Sequence, residues 1–424
     1  MSSYKQLSID ERRGEYRRLE SDYLSYCNMG LKLDLSRGKP NSSQLDISDG
    51  LLNTDISGSM SYSSSGFDCR NYGLLDGIAE MKTFFAEAFG INADDIIVGG
   101  NSSLQLMYGA LSRAMLYGVY GSVRPWAREN GLKWICVTPG YDRHFRITEL
   151  MGFELLSVPM TADGPDMDIV EELVRDEKVK GIWCVPKYSN PTGNTYSAKT
   201  VERLAAMQCA APDFRIMWDN AYGVHDFDAN GDKLADIFGA AKKYGNEDRI
   251  FYFSSTSKIT FPGGGVAMMA MSENNRKQVL PYLGAETIGF DKLNQIRHLK
   301  FFGSVENMRG HMLKLGKKIK QKFDITLGEL NTLTGLDIAS WTEPRGGYFI
   351  SLEVLPGCAA RVYELMRGAG VILTPIGATH PYGIDKEDKT IRIAPTYPSD
   401  DELCLASKIL ALSVKLAALE KLGI

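Results

Sequence analysis

A chain of 424 residues that is 44% hydrophobic and 24% charged can bury a large core, divided between two domains. Its formal net charge of −4 gives no electrostatic reason to expect nucleic acid or an anionic membrane surface as partner. Five scattered histidines and seven cysteines without CxxC or HxxxH spacing argue against a metal centre, and the odd cysteine count fits the reduced thiols of a cytoplasmic protein.

In chain order, the opening "MSSYKQLSIDERRGEYRRLE" is charged and helix-like, without the apolar core of a signal peptide. No apolar run approaches the roughly 18 residues needed to span a bilayer. "SGSMSYSSSG" (Ser57–Gly66) reads as a mobile loop. From about residue 76 to 255, short apolar runs alternate with amphipathic stretches. The runs are "DIIVGG" from Asp95, "WICVTPG" from Trp134, "GIWCVPKYSN" from Gly181, "FRIMWDN" from Phe214 and "RIFYFSS" from Arg249. Helices are expected over Ser102–Tyr117, Met167–Glu177, Ala198–Ala210 and Lys233–Tyr244. Near-continuous apolar strands between helices predict an α/β domain with a mostly parallel sheet covered on both faces, over roughly 50–295. A long helical stretch over Lys292–Lys322 follows, then short strands in "GGYFISLEV" and "KTIRIAP" and a last helix from about Asp400. Residues 296–424 with 1–49 read as a smaller α+β domain carrying an N-terminal arm.

The strand candidates share one feature: polar residues gather just past their C-terminal ends. The clusters are Gly99-Gly100-Asn101-Ser102-Ser103, then Gly140-Tyr141-Asp142-Arg143-His144, then Lys187 to Gly193 with Asn190, then Asp219-Asn220-Ala221-Tyr222 and finally "SSTSKITFPGGG" with Lys258. Ligands of open α/β sheets bind outside the carboxyl ends of strands, so five such clusters predict one shared site. "GGNSSLQL" can present backbone N–H groups and two hydroxyls to an anion, although an ordinary serine N-cap reads the same. Asp219 ends an apolar strand and needs a partner there: a backbone group, an arginine or a cationic ring nitrogen. Asn190-Pro191-Thr192-Gly193 is turn chemistry, with or without a ligand. A lysine carried toward the interior end of a strand is costly unless it is partnered, neutral or covalently modified. Together these residues describe a phosphate cradle, a carboxylate for a ring nitrogen, phenol and amide donors and a desolvated lysine. Pyridoxal 5'-phosphate asks for this set, with Lys258 held as a Schiff base.

The ordered motifs "SNPTG", "DNAY", "SxSK" and "RIAP", with "LSRGKP" (Leu35–Pro40) and "PGYDRHF" (Pro139–Phe145), resemble the fold-type-I, class I/II aminotransferases over nearly the whole chain. They are most similar to a subgroup of aspartate aminotransferases. The resemblance implies a large α/β and a smaller α+β domain, pyridoxal 5'-phosphate and a catalytic set of Lys258, Asp219, Tyr222 and Tyr141. Lys258 would form the internal aldimine and shuttle the Cα proton. Asp219 would pair with the pyridine nitrogen, Asn190 and Tyr222 would bond the ring oxygen, and Tyr141 would stack on the ring. Ser102, Ser103, Ser255 and Ser257 would hold the phosphate. Tyr72, in "NYGLLDG", would reach the neighbouring subunit's phosphate, which implies a homodimer. Arg392 would fork onto the substrate α-carboxylate, with Gly38 and Asn190 beside it. A second carboxylate would need Arg37, Arg143 or Arg297, with His144 nearby in sequence. Many relatives carry an arginine about eight residues past the lysine; here no basic residue follows until Arg276, so the phosphate is left to hydroxyls, N–H groups or a cation from elsewhere.

The resemblance favours ping-pong exchange between aspartate and 2-oxoglutarate. Aromatic- or alanine-type aminotransferases and β-elimination lyases share the same cofactor machinery. Aminotransferase-like effector sensors of transcription regulators also share it, but the 34 residues ahead of Leu35 are too few for a helix-turn-helix domain.

Overall fold

The computed structural model describes residues 3–424. Its strands, in chain order, are β1 (Leu33–Asp34), β2 (Ile96–Val98), β3 (Lys133–Thr138), β4 (Glu154–Thr161), β5 (Gly164–Pro165), β6 (Val179–Cys184), β7 (Arg215–Asp219), β8 (Ile250–Ser255), β9 (Ala267–Met271), β10 (Ala339–Trp341), β11 (Ile350–Val354), β12 (Val371–Ile372) and β13 (Thr390–Ile393). Eight of them form the main sheet in the order β2-β9-β8-β7-β6-β3-β4-β5. The pairs from β8 through to β4 are parallel, whereas β9 runs antiparallel to both β2 and β8, and β5 runs antiparallel to β4.

The expected parallel α/β sheet is present, and its physical basis is visible in β6, β7 and β8, where every residue is buried. Successive side chains serve opposite faces. Ile250 and Tyr252 join the core on one side, with Ile182 and Ile216. Phe251 and Phe253 join the core on the other, with Trp183 and Met217. Gly181 lets β3 and β6 approach: a Cβ there would lie 2.4 Å from the Trp134 ring and 2.6 Å from the Arg215 carbonyl.

Several element boundaries differ from expectation. The stretch over Lys292–Lys322 is two helices, Lys292–Phe302 and Val305–Leu330, because Gly303 adopts φ 71° and Ser304 caps the second. The helix expected over Lys233–Tyr244 spans only Ile237–Lys242, started by the Asp236 cap. Those expected to end at Glu177 and Ala210 end at Leu173 and Ala206. Ser57–Gly66 holds a 3-10 turn at Gly58–Ser61, with Ser61 and Ser63 buried and the rest of the segment exposed. β4 and β9 carry strands that the apolar-run pattern did not single out.

Beyond the main sheet, β10, β11 and β13 form an antiparallel sheet, and β1 pairs with β12 in parallel. The helix Asp400–Lys421 packs between Val305–Leu330, Ala359–Gly368 and Ile9–Cys27, and most of its inward residues from Leu403 to Leu419 are buried. No described helix is long and apolar enough to cross a membrane.

Candidate active site

The order of the main sheet reverses between β3 and β6: the chain proceeds to β4 on one side and to β7 and β8 on the other. The loops leaving β3, β6, β7 and β8 therefore open a crevice at one sheet edge, the general ligand position of such sheets. Those loops deliver Tyr141, Asn190, Asp219 with Tyr222, and Lys258. All five line one cavity of about 600 Å³, together with Arg37, Gly38, Arg143 and Arg392.

Asp219, the last residue of β7, is buried. His144 Nε2 lies 3.0 Å from its Oδ2, while its Oδ1 is buried without any hydrogen-bond partner. A carboxylate can only accept, so the His144 Nε2–H donates. The sequence placed His144 near a substrate side chain. The structure instead puts it behind Asp219, buried, with its ring stacked on Trp183 at 4.3 Å and 9°. Its position three residues after Tyr141, on the helix Asp142–Leu150, was the signal that could have revealed this.

Lys258 does not lie within the sheet. It sits in the turn after β8, half-buried, with Nζ 4.8 Å from the Tyr222 ring centroid. The amine thus opens into the cleft rather than being sealed in the core. Burial, and secondarily Asp219, holds the Tyr222 phenol well above its ordinary range. Burial also pushes Tyr141 up to about 12, although the Lys258 charge acts in the opposite direction. Both phenols therefore stay protonated donors at neutral pH.

Ser102, Ser103, Ser255 and Ser257 do not line this cavity; they make a second cluster next to Lys258. Ser255 Oγ donates to Ser257 Oγ at 3.1 Å, and Ser257 Oγ donates to the Asn101 carbonyl at 2.5 Å. Ser102 is the N-cap of the helix Ser103–Tyr117 but makes no side-chain capping bond, so its hydroxyl is free of that duty. No lysine or arginine hydrogen-bonds to these hydroxyls among the described residues.

Arg392 extends from β13 with only 9% of its side chain exposed. Its guanidinium lies over the Phe349 ring at 5.0 Å, and Nε donates to Thr374 Oγ1 at 3.3 Å. Nη1 donates to Asp142 Oδ1 at 2.9 Å and reaches Asn190 Oδ1 at 3.5 Å. The segment carrying Arg37 and Gly38 is pinned beside it. Ala394 N–H donates to the Leu35 carbonyl, Thr374 Oγ1 to the Ser36 carbonyl and Thr396 Oγ1 to the Lys39 carbonyl.

Arg37 and Arg143 are exposed at the rim of the cavity. Lys39, which sequence reasoning passed over, also lines it, with Nζ 3.8 Å from the Tyr397 ring centroid. Arg297 does not line the cleft; it is half-buried on the helix Lys292–Phe302. Tyr72 also lies outside it, 77% exposed. Asp142 was missed as the partner of Arg392, since 250 residues separate them and neither motif announces the other.

A family model described as aspartate amino-transferase matches residues 7–423. An aspartate aminotransferase of Corynebacterium glutamicum is 46% identical over 391 residues, covering 92% of this chain and 90% of the relative. The crystal structure of an aspartate transaminase from Corynebacterium glutamicum superposes with a TM-score of 0.97 at 43% identity, over 99% of both chains. At greater distance, a 2-aminoadipate transaminase of Thermus thermophilus is 25% identical over 294 residues, 68% of each chain. With a family model spanning nearly its full length and a solved relative of the same fold, this chain belongs to the aspartate aminotransferase family: it is an aminotransferase of fold type I, and pyridoxal 5'-phosphate is its cofactor.

Proposed function

We propose that this chain exchanges an amino group between L-aspartate and 2-oxoglutarate by ping-pong turnover, with Lys258 as the catalytic amine. The observation that carries this reading is the meeting of Lys258, the unpartnered Asp219 Oδ1 and Arg392 in one cavity.

The residues present fit the cofactor. A buried carboxylate oxygen without a donor is costly, and a protonated ring nitrogen would satisfy it. Tyr141 supplies an aromatic face, and Asn190 and Tyr222 supply an amide and a phenol. The N-terminus of Ser103–Tyr117 with Ser102, Ser103, Ser255 and Ser257 suits a phosphate. When bound, the cofactor supplies an electrophilic carbonyl and a pyridinium ring that accepts electrons.

Lys258 Nζ is the group that binds that carbonyl at rest. When free, it would take the proton from the substrate Cα and deliver it to the cofactor carbon, so that the substrate leaves as an oxo acid. Asp219 would keep the ring nitrogen protonated through its unpartnered Oδ1, and His144 holds Asp219 in orientation through Oδ2. Arg392 binds the α-carboxylate through its fork, with Asn190 and the Gly38 backbone alongside. A side-chain carboxylate has Arg37 and Arg143 within the same cavity, which supports a dicarboxylic substrate, whereas Arg297 does not line it. The exposure of Tyr72 supports a homodimer in which this phenol serves the neighbouring phosphate. A protein that sediments as a monomer at working concentration would rule that out.

The experiment is an absorption spectrum of the purified protein before and after aspartate is added without an oxo acid. The band of the lysine-bound cofactor, at roughly 360–430 nm, should convert to one near about 330 nm as the amino group is taken up. A band unmoved by aspartate would overturn the substrate, and no band even after adding pyridoxal phosphate would overturn Lys258.

A further inference from the structure

The geometry points to Asp142 as a built-in carboxylate that pairs with Arg392 and that the incoming α-carboxylate must displace. This inference rests on Arg392 being the anchor of that carboxylate.

Asp142 opens the helix Asp142–Leu150 at the edge of the main sheet, whereas Arg392 lies on β13 of the three-stranded sheet. Their 2.9 Å ion pair therefore spans the cleft from one wall to the other. The two partners are held unequally. The Arg392 side chain is 9% exposed, seated on Phe349 and bonded to Thr374. The Asp142 side chain is 34% exposed and accepts a side-chain hydrogen bond from Arg392 alone among the described residues.

Compare Asp213, elsewhere in the molecule. It is buried and accepts from Ser122 Oγ at 2.9 Å, Trp126 Nε1 at 2.8 Å and Lys180 Nζ at 3.0 Å. An aspartate built to hold structure is enclosed and multiply bonded in that way. Asp142 is reachable by solvent and singly bonded, so it can rotate away while the guanidinium stays in place.

The chemistry of the exchange is symmetrical. One carboxylate replaces another on the same Nη1 while the displaced Asp142 stays in the cleft, so the substrate gains only the difference between the two pairs less the repulsion from Asp142. Whatever fraction of the protein holds the Asp142–Arg392 pair is unavailable to ligand, and the apparent dissociation constant rises by the reciprocal of the fraction left unpaired. Asp142 thus competes for a guanidinium that Phe349 and Thr374 already hold in place, and it sets a ceiling on carboxylate affinity. Amino acids and oxo acids share the α-carboxylate, so the device weakens both equally and favours release of each product.

The test is calorimetric titration of the holoenzyme with succinate, a dicarboxylate that cannot react, for the wild type, Asp142→Asn and Asp142→Ser. Both variants should bind succinate more tightly, by about 3- to 10-fold, the size expected from removing one partly solvated ion pair. The KM values for aspartate and 2-oxoglutarate should fall by a common factor, which a purely structural role would not produce. Unchanged or weaker succinate binding in either variant would overturn the inference and make Asp142 a fixed support. If aspartate left the wild-type spectrum unmoved, the substrate reading would fall separately, and the succinate comparison would still decide Asp142.

Discussion

Gly38 shows how much a single position can constrain the cleft. A Cβ at this residue would lie 2.2 Å from the tip of the Phe349 ring, and that ring is the surface on which Arg392 rests. Gly38→Ala should therefore displace Phe349 and tilt the guanidinium. Overpacking of this kind costs about 1–3 kcal/mol, here taken largely from substrate binding. The expected outcome is a KM raised about 5- to 100-fold for both substrates, read from steady-state kinetics with a thermal melt to verify folding. Lys258 and Asp219 were legible in the sequence because each ends or follows an apolar strand, where a charge without purpose would be costly, whereas Arg392 was legible only through the resemblance of its motif. His144 behind Asp219 and Asp142 against Arg392 were not. Their significance lies in a partner 75 or 250 residues away, and a side chain's partner is not written in its own segment.

Among the elements, the helix Asp400–Lys421 packs against three other helices: Ile9–Cys27, Val305–Leu330 and Ala359–Gly368. Ser399 and Glu402 form a capping box at its start: Ser399 Oγ accepts from the Glu402 N–H, and the Glu402 carboxylate accepts from the Ser399 N–H. Ser399→Ala should cost about 1 kcal/mol, seen as a lower urea midpoint with the cofactor spectrum unchanged. The cap is exposed and remote from the cleft, so activity at low denaturant should persist. Caps and long apolar helices can be read locally, which is why this helix was expected from about Asp400. The division at Gly303 was marked by the Gly-Ser pair but masked by helical periodicity on both sides. β4 alternates buried and exposed residues around Pro159, and β9, "AMMAM", lacks the β-branched residues that mark strands, so their pairing partners decide their state.

At the scale of the whole molecule, two buried histidines from distant segments contact the Lys258 turn. His225 Nε2 lies 3.3 Å from the Lys258 carbonyl, and His298 Nε2 lies 3.1 Å from Thr256 Oγ1 and 3.0 Å from Thr260 Oγ1. Burial lowers His225 to about 3, helped by the Lys258 charge, and lowers His298 to about 4. Between those values and about 6.5 the unfolded chain binds protons that the folded chain refuses, so stability rises with pH across this window. As pH falls from 7 to 5 the protein should lose roughly 2 kcal/mol for each histidine, and the loss begins near 6.5. Urea midpoints at pH 7 and pH 5 would check this. His298→Asn should make the difference smaller even if the variant is less stable at pH 7.

The sequence by itself determined the mostly parallel sheet and the polar clusters past its strand ends, Lys258 and Asp219 among them, while Arg392 entered through the resemblance of its motif. Strand burial and the cost of a charge at a strand end are local properties that a single segment carries. Only the tertiary structure decided which cations share the cleft, that Lys258 opens into it from a turn, and that Asp142 meets Arg392 across it. Those are consequences of strand order and of the contact between the two sheets, where residues far apart in the chain compete for one charge.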